Sequence, residues 1–343
     1  MLVGDPHENE HLDSESDKAK SGDYLRMQYA MIDKIKPDLV VLMGDNAGGD
    51  TYEGFMETFT RIMLPYTDSC TPVATIFGNH DFERKFADRE IIEREYKNFP
   101  GCLYMSGEYT DDYGDYCLPI YSGDKPAFCL YFMYSGNLCE DKKLSHYDYV
   151  HDEQIEWFER TSSEFTKNNG GKPVPSIVIQ HIPVPEEYEL LKKVPKARRF
   201  TDGVPGQTFN SDYTYVANRS TGIKGYVGEA PCCPDFNNSQ FASWKKTGGV
   251  VAAFFGHDHM NDFIGTVDGI MLGQVKTASF RAYGDGLMQG VRVVELIEGY
   301  DNIADTYMVR YRDIFGAKCD SIKGMLLLPD RYTKFFDKDW WKI

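Results

Sequence analysis

Thr75-Ile76-Phe77-Gly78-Asn79-His80-Asp81 is the stretch on which the fold turns. An apolar strand, Val73 to Phe77, runs into a glycine that lets the backbone turn sharply, and an amide, an imidazole and a carboxylate follow in succession. Those three side chains cannot all be core. Taken alone, Asn-His-Asp after a strand reads equally well as an ordinary polar turn. What separates the two readings is repetition, because the same order of apolar strand then ligand-type residues recurs four more times along the chain.

Upstream, Leu2-Val3-Gly4 leads into Asp5-Pro6-His7, and the continuous apolar run Leu39 to Met43 leads into Gly44-Asp45-Asn46. The polar run up to Asp23 reads as a loop. The spacing of Leu25, Tyr29, Ile32 and Ile35 predicts a helix from about Tyr24 to Lys36, and a second helix is predicted from about Tyr52 to Leu64. Two such β-α-β crossovers in a row make the three strands parallel, so their carboxyl ends share one edge of one sheet. Asp5, His7, Asp45, Asn79 and His80 therefore converge, although about 35 residues separate one group from the next.

Downstream, a charged helix is predicted over Glu83 to Lys97. Phe128, Leu130 and Phe132 then alternate with Cys129, Tyr131 and Met133, as on a strand with two different faces. Asp152 reads as the N-cap of a helix from Glu153 to about Lys167, closed by Asn169-Gly170-Gly171. The strand Ser176 to Gln180 ends at His181, and after a short helix, Phe241 to Lys246, the strand Val250 to Phe255 ends in Gly256-His257-Asp258-His259. Between them, residues 186–238 are irregular and carry Lys192, Lys193, Lys196, Arg198 and Arg199, basic residues on an acidic chain. This segment reads as an insert on the substrate side, with Lys196, Arg198 and Arg199 as candidate substrate-binding residues. No repeat or linker is visible. The expected organisation is one domain over residues 1–325 with a tail, 326–343, packing back on it.

Composition narrows the function classes. At 343 residues and 42% hydrophobic content the chain can bury a sizeable core, and a net charge of −16 argues against holding a nucleic-acid backbone. No apolar run reaches the ~18 residues of a membrane span. Met1 begins a strand-like segment and no signal-peptide pattern, so a cytoplasmic location is the default, although the first strand is short, as if a leader had been lost. The eight cysteines are dispersed without a Cys-x-x-Cys, which suggests neither a disulfide scaffold nor a structural zinc.

Five of the eight histidines stand at strand ends with Asp5, Asp45 and Asn79. Imidazole, carboxylate and carboxamide oxygen suit Zn, Mn or Fe, and a set of seven with one shared carboxylate suits two ions roughly 3.5–4 Å apart. Asp5-x-His7, Gly44-Asp45, Gly78-Asn79-His80-Asp81, His181 and Gly256-His257-x-His259 resemble, in order and spacing, the five blocks of the calcineurin-like metallophosphoesterase superfamily. His181-Ile-Pro-Val-Pro-Glu, Cys232-Cys233 with Asn238-Ser239, and His257-Asp-His-Met-Asn-Asp-Phe263 are similar to its purple-acid-phosphatase-related branch. Purple enzymes carry a tyrosine three residues after the bridging aspartate; here that position is Gly48.

The resemblance implies a four-layer α/β/β/α sandwich of two mixed sheets with a dinuclear metal site at the strand C-terminal edge. It implies one metal on Asp5, His7 and His259, the other on Asn79, His181 and His257, with Asp45 bridging. His80 is left over as the expected acid for the leaving oxygen, with Asp81 as its orienting partner. The expected activity is hydrolysis of a phosphoric ester, most simply a phosphomonoester on a small molecule or phosphoprotein, by a hydroxide held between the metals. A diesterase of the same superfamily and a non-catalytic, metal-stabilised interaction module are the alternatives.

Overall fold

The computed structural model of the chain describes residues 1–105, 114–197 and 203–321. Arg198, Arg199 and the expected C-terminal tail lie outside the described residues. In chain order the elements are β1 (Leu2–Val3), β2 (Glu8–Asn9), α1 (Glu15–Ile35), β3 (Val40–Leu42), β4 (Ala47–Gly48), α2 (Tyr52–Asp68), β5 (Val73–Thr75) and α3 (Arg89–Asn98). There follow β6 (Tyr116–Ser122), β7 (Lys125–Met133), α4 (Asp152–Asn168), β8 (Ser176–Gln180), β9 (Leu191–Val194), β10 (Val204–Pro205) and β11 (Thr214–Ala217). The chain continues through α5 (Gln240–Thr247), β12 (Val250–Phe255), β13 (Ile264–Val267), β14 (Ile270–Gln274), β15 (Gly290–Leu296), β16 (Ile303–Arg310) and α6 (Tyr311–Phe315).

Two mixed sheets form the middle of the molecule. The first has the order β16-β15-β1-β3-β5, with β1, β3 and β5 parallel as the crossovers require and β15 running antiparallel to β1. The second has the order β13-β14-β12-β8-β7-β6, four parallel strands with an antiparallel strand on each edge. Alternation along β7 assigns its faces. Phe128, Leu130 and Phe132 enter the core shared with Val3 and Val41 of the first sheet and with Phe77, whereas Cys129, Tyr131 and Met133 pack with Trp157 and Phe158 of α4 and Trp244 of α5. Helices α1 and α2 cover the first sheet through Tyr24, Met27, Phe55 and Phe59. The result is the four-layer sandwich. The insert builds a small antiparallel sheet of its own, β10-β11-β9. All eight cysteines are free thiols.

Four helix boundaries differ from expectation. α1 begins at Glu15, where Ser14 caps it by accepting the Asp17 N–H at 3.0 Å, so the polar run before Asp23 is helix and not loop. α2 does not stop at Leu64 but continues through Pro65 to Asp68. α3 starts only at Arg89, after the Asp88 cap, because the residues Glu83 to Lys85 are drawn to the rim of the site. At α4 the N-cap is His151, one residue before the expected Asp152.

Candidate metal centre

Each ligand-type residue follows a strand whose direction is fixed by the sheet. Asp5 and His7 follow β1, Asp45 follows β3, Asn79 follows β5, His181 follows β8, and His257 and His259 follow β12. The turns that redirect these side chains are unusual, since Asp5, His7, Asp45 and His257 all hold positive φ, at 45°, 47°, 52° and 69°. Non-glycine residues adopt that region only when the surroundings impose it. Gly44 and Gly78 supply the close approach: a Cβ on Gly44 would lie 2.5 Å from His181 Nδ1, and one on Gly78 2.3 Å from Asp45 Oδ1.

The side chains form two groups joined by one carboxylate. Ligand atoms of Asp5, His7, Asp45 and His259 lie within 4.8 Å of one another, as do those of Asp45, His181 and His257. Asp45 Oδ2 stands 3.4 Å from His7 Nε2 and 3.3 Å from His181 Nε2, and Asn79 Oδ1 stands 3.1 Å from His181 Nε2. His7 Nε2 and His259 Nε2 are 3.1 Å apart.

The second ring nitrogens decide what these atoms can do. His181 Nδ1 donates to the Met43 carbonyl at 2.8 Å and His259 Nδ1 to the Tyr283 carbonyl at 2.9 Å, which turns both Nε2 lone pairs inward. Asp5 Oδ2, Asp45 Oδ2 and His257 Nε2 are buried without a hydrogen-bond partner. Converging lone pairs and orphaned buried acceptors are costly unless a cation lies among them. The donor set, imidazole nitrogen with carboxylate and amide oxygen, therefore fits two borderline divalent or trivalent ions.

Electrostatics say the same. Burial pushes His7 down to about 4 and His259 to about 3, and drives His257 well below the ordinary imidazole value. Burial also disfavours a charged His181, but the Asp45 carboxylate overrides it and lifts His181 to about 10. Burial, reinforced by neighbouring Asp45, raises Asp5 well above the usual carboxylate range. For Asp45 itself burial is outweighed by His181 and His7, which hold the carboxyl well down. Three imidazoles are thus held neutral, with lone pairs able to ligate, and Asp45 is held ionised beside them.

A family model described as calcineurin-like phosphoesterase matches residues 1–261. The chain belongs to the calcineurin-like phosphoesterase family. Similar curated proteins include "Probable inactive purple acid phosphatase 29" of Arabidopsis thaliana, 27% identical over 76% of this chain and 64% of its own length. "Probable inactive purple acid phosphatase 14" of the same plant is 29% identical over 76% of this chain and 63% of its own. The chain thus spans less than two thirds of the length of these relatives. A dimetal phosphatase from Danio rerio is similar in structure at a TM-score of 0.46 and 12% identity, covering 75% of this chain and 78% of that one.

In this member of the family one expected role is reassigned. Asp81 does not orient His80. Its carboxylate is buried and accepts the backbone N–H groups of Asp45 and Asn46 at 2.8 Å each and of Gly78 at 2.7 Å, so it ties together the two turns that carry Asp45 and Asn79. The partner of His80 is Glu83, whose carboxylate meets Nδ1 from three residues on, a spacing that the sequence displays. The His80 ring is half exposed, 5.4 Å from the His7 ring, and its backbone N–H donates to Asp45 Oδ1 at 2.7 Å.

Two aromatic residues of the site had no sequence signal. The Tyr283 ring stacks on His259 at 4.2 Å and the Tyr147 ring stands edge-on to His257 at 4.5 Å, both from irregular segments. Asp258 and Asn261, in the last motif, are braces: they accept the N–H groups of Cys232 and of Gly228 and Glu229. A cavity of about 370 Å³ opens beside the cluster, lined by His7, Asp45, Gly48, His80, Glu83 and Arg84 among others. Lys196 is not in that lining; it is exposed, 3.9 Å from the Asp212 carboxylate.

Proposed function

We propose that the chain is a dinuclear, metal-dependent phosphoric-ester hydrolase, acting on phosphomonoesters. The observation that carries this reading is the single buried carboxylate of Asp45, shared between two ligand groups whose remaining lone pairs converge. Asp5, His7 and His259 would hold one ion, Asn79, His181 and His257 the other, and Asp45 both. When bound, the ions supply an acidified water and offset phosphoryl charge.

The chain's own residues do the rest. Main-chain carbonyls of Met43 and Tyr283 fix the tautomers of His181 and His259, and Asp81 holds the two turns in register. His80, at the mouth of the cavity with Nδ1 engaged by Glu83, has its other nitrogen available to give a proton to the leaving oxygen. Its backbone bond to Asp45 sets its distance from the shared carboxylate.

The plant relatives carry the word inactive in their names, and that favours a second reading, a metal-stabilised module without turnover. Metal analysis of the purified protein beside hydrolysis of p-nitrophenyl phosphate, with Mn²⁺ or Zn²⁺ added, separates the two. Two ions per chain with metal-dependent turnover supports the hydrolase. Two ions without turnover on any phosphate ester supports the module, and no tightly bound ion removes both.

A further inference from the structure

Among the described residues Arg84 is the one lysine or arginine lining the cavity beside the ligand cluster, where it shares the wall with His7, Asp45 and His80. Among the described residues its guanidinium makes no hydrogen bond or ion pair, although both its neighbours do: Glu83 meets His80, and Lys85 Nζ meets Asp50 at 2.6 Å. Its stem lies over Gly48, so closely that a Cβ there would stand 2.7 Å from Arg84 Cγ and 3.4 Å from Nε. Gly48 is the position three residues past Asp45, which holds a tyrosine in purple enzymes. In this chain the space over that position is filled by the Arg84 side chain.

We propose that Arg84, admitted to the cavity by Gly48, is the anion-binding residue of the site and selects phosphomonoesters over diesters. A planar guanidinium presents paired N–H donors that match two phosphoryl oxygens, and such charge-assisted bonds are among the strong ones. A monoester brings three terminal oxygens and up to two negative charges, a diester two oxygens and one charge. A cation at the wall of the cavity, on a chain of net charge −16, rewards the extra charge and the extra oxygen. The inference rests on the phosphoesterase reading for its substrate class, and it requires phosphate binding without requiring turnover.

The test is calorimetric titration of the Mn²⁺-loaded protein with inorganic phosphate, for wild type, Arg84→Ala, Arg84→Lys and Gly48→Tyr, with metal content measured on each sample. Arg84→Ala should weaken phosphate binding by on the order of tenfold at unchanged metal content. Arg84→Lys should recover only part, and Gly48→Tyr should lose as much as Arg84→Ala because the phenol displaces the guanidinium. In parallel, Arg84→Ala should raise the KM for p-nitrophenyl phosphate by clearly more than the KM for bis(p-nitrophenyl) phosphate, which keeps two oxygens and one charge for the guanidinium to meet. Arg84-dependent phosphate binding by a protein that hydrolyses nothing would sink the hydrolase reading and keep this one. Equal phosphate affinity in wild type and Arg84→Ala, no phosphate binding by wild type, equal losses for mono- and diester, or loss of metal from Arg84→Ala would each overturn it.

Discussion

His80 stands at the cavity mouth with Glu83 on one nitrogen, and that placement sets what its removal should do. His80→Ala should lower turnover of esters with poor leaving groups, such as phosphoserine, by the ~10²–10⁴ of a lost general acid, and lower it less for aryl phosphates. Steady-state rates on the two substrates, at matched metal content, check this. Glu83→Gln should follow the same substrate order with a smaller loss. Asp45 is a different kind of residue, because its orphaned Oδ2 faces both ligand groups while Oδ1 holds the His80 backbone. Asp45→Asn keeps the shape and removes the charge. Metal content should fall more than in any other single-ligand variant and turnover should vanish, as read by elemental analysis and p-nitrophenyl phosphate assay.

The elements show why the ligands could be read from the sequence and their supports could not. Strand-end residues are legible because a buried strand is a visible apolar run; the crossover rule brings Asp5, Asp45 and Asn79 to one edge, and His181 and His257 join them through the same strand-end pattern and the family resemblance. The start of α1 is invisible to the same reasoning because its inward face is polar: Ser21 is buried against Glu8, and Asp23 accepts from Ser321 at 2.7 Å and from the Cys319 thiol at 3.0 Å. Periodicity counts apolar residues, and here there are few to count. The run after His80 misleads in the opposite way, since Glu83, Arg84 and Lys85 look like the first turn of a charged helix but serve the rim. Asp81 was legible as a site residue and misread in role, because three backbone donors converging on one carboxylate leave no trace in a sequence. Asp81→Ala would leave the Asp45, Asn46 and Gly78 N–H groups unsatisfied, at about 1–3 kcal/mol for each buried orphan. A lower Tm together with reduced metal content is the expected outcome, whereas a purely catalytic Asp81 would leave both unchanged.

At the scale of the whole molecule, buried carboxyls outside the ligand set make stability depend on pH in opposite directions. Burial raises Glu187 to about 8 from its ordinary 4.5, relieved only in part by the Gln274 amide at 2.7 Å. A raised carboxyl contributes stability that is full below about 4.5 and is lost as pH rises towards 8. Glu187→Gln should therefore show a Tm advantage over wild type that grows between pH 5 and pH 8.5. Asp262 has the reverse sign: against its burial, Lys276 at 3.3 Å and Arg310 at 2.8 Å hold it down to about 2, so its contribution is present above about 3.8 and fades as pH falls towards 2. Asp262→Asn should cost stability at pH 7 and progressively less below pH 4, measured by the same melts. The ligand groups themselves have a mechanical meaning. Asp5, His7, Asp45 and Asn79 hang from the first sheet and His181, His257 and His259 from the second, so ions seated among them would rivet the two halves of the sandwich along one edge. Unfolding must then release the rivets, and free cation becomes a thermodynamic variable of folding: at a hundred times its dissociation constant one ion adds about 2.7 kcal/mol. Melting curves should climb with the logarithm of Mn²⁺ or Zn²⁺ and drop in chelator, and a protein starved of metal should part first where the sheets meet at that edge, with hydrogen exchange quickening on both sides of the seam together.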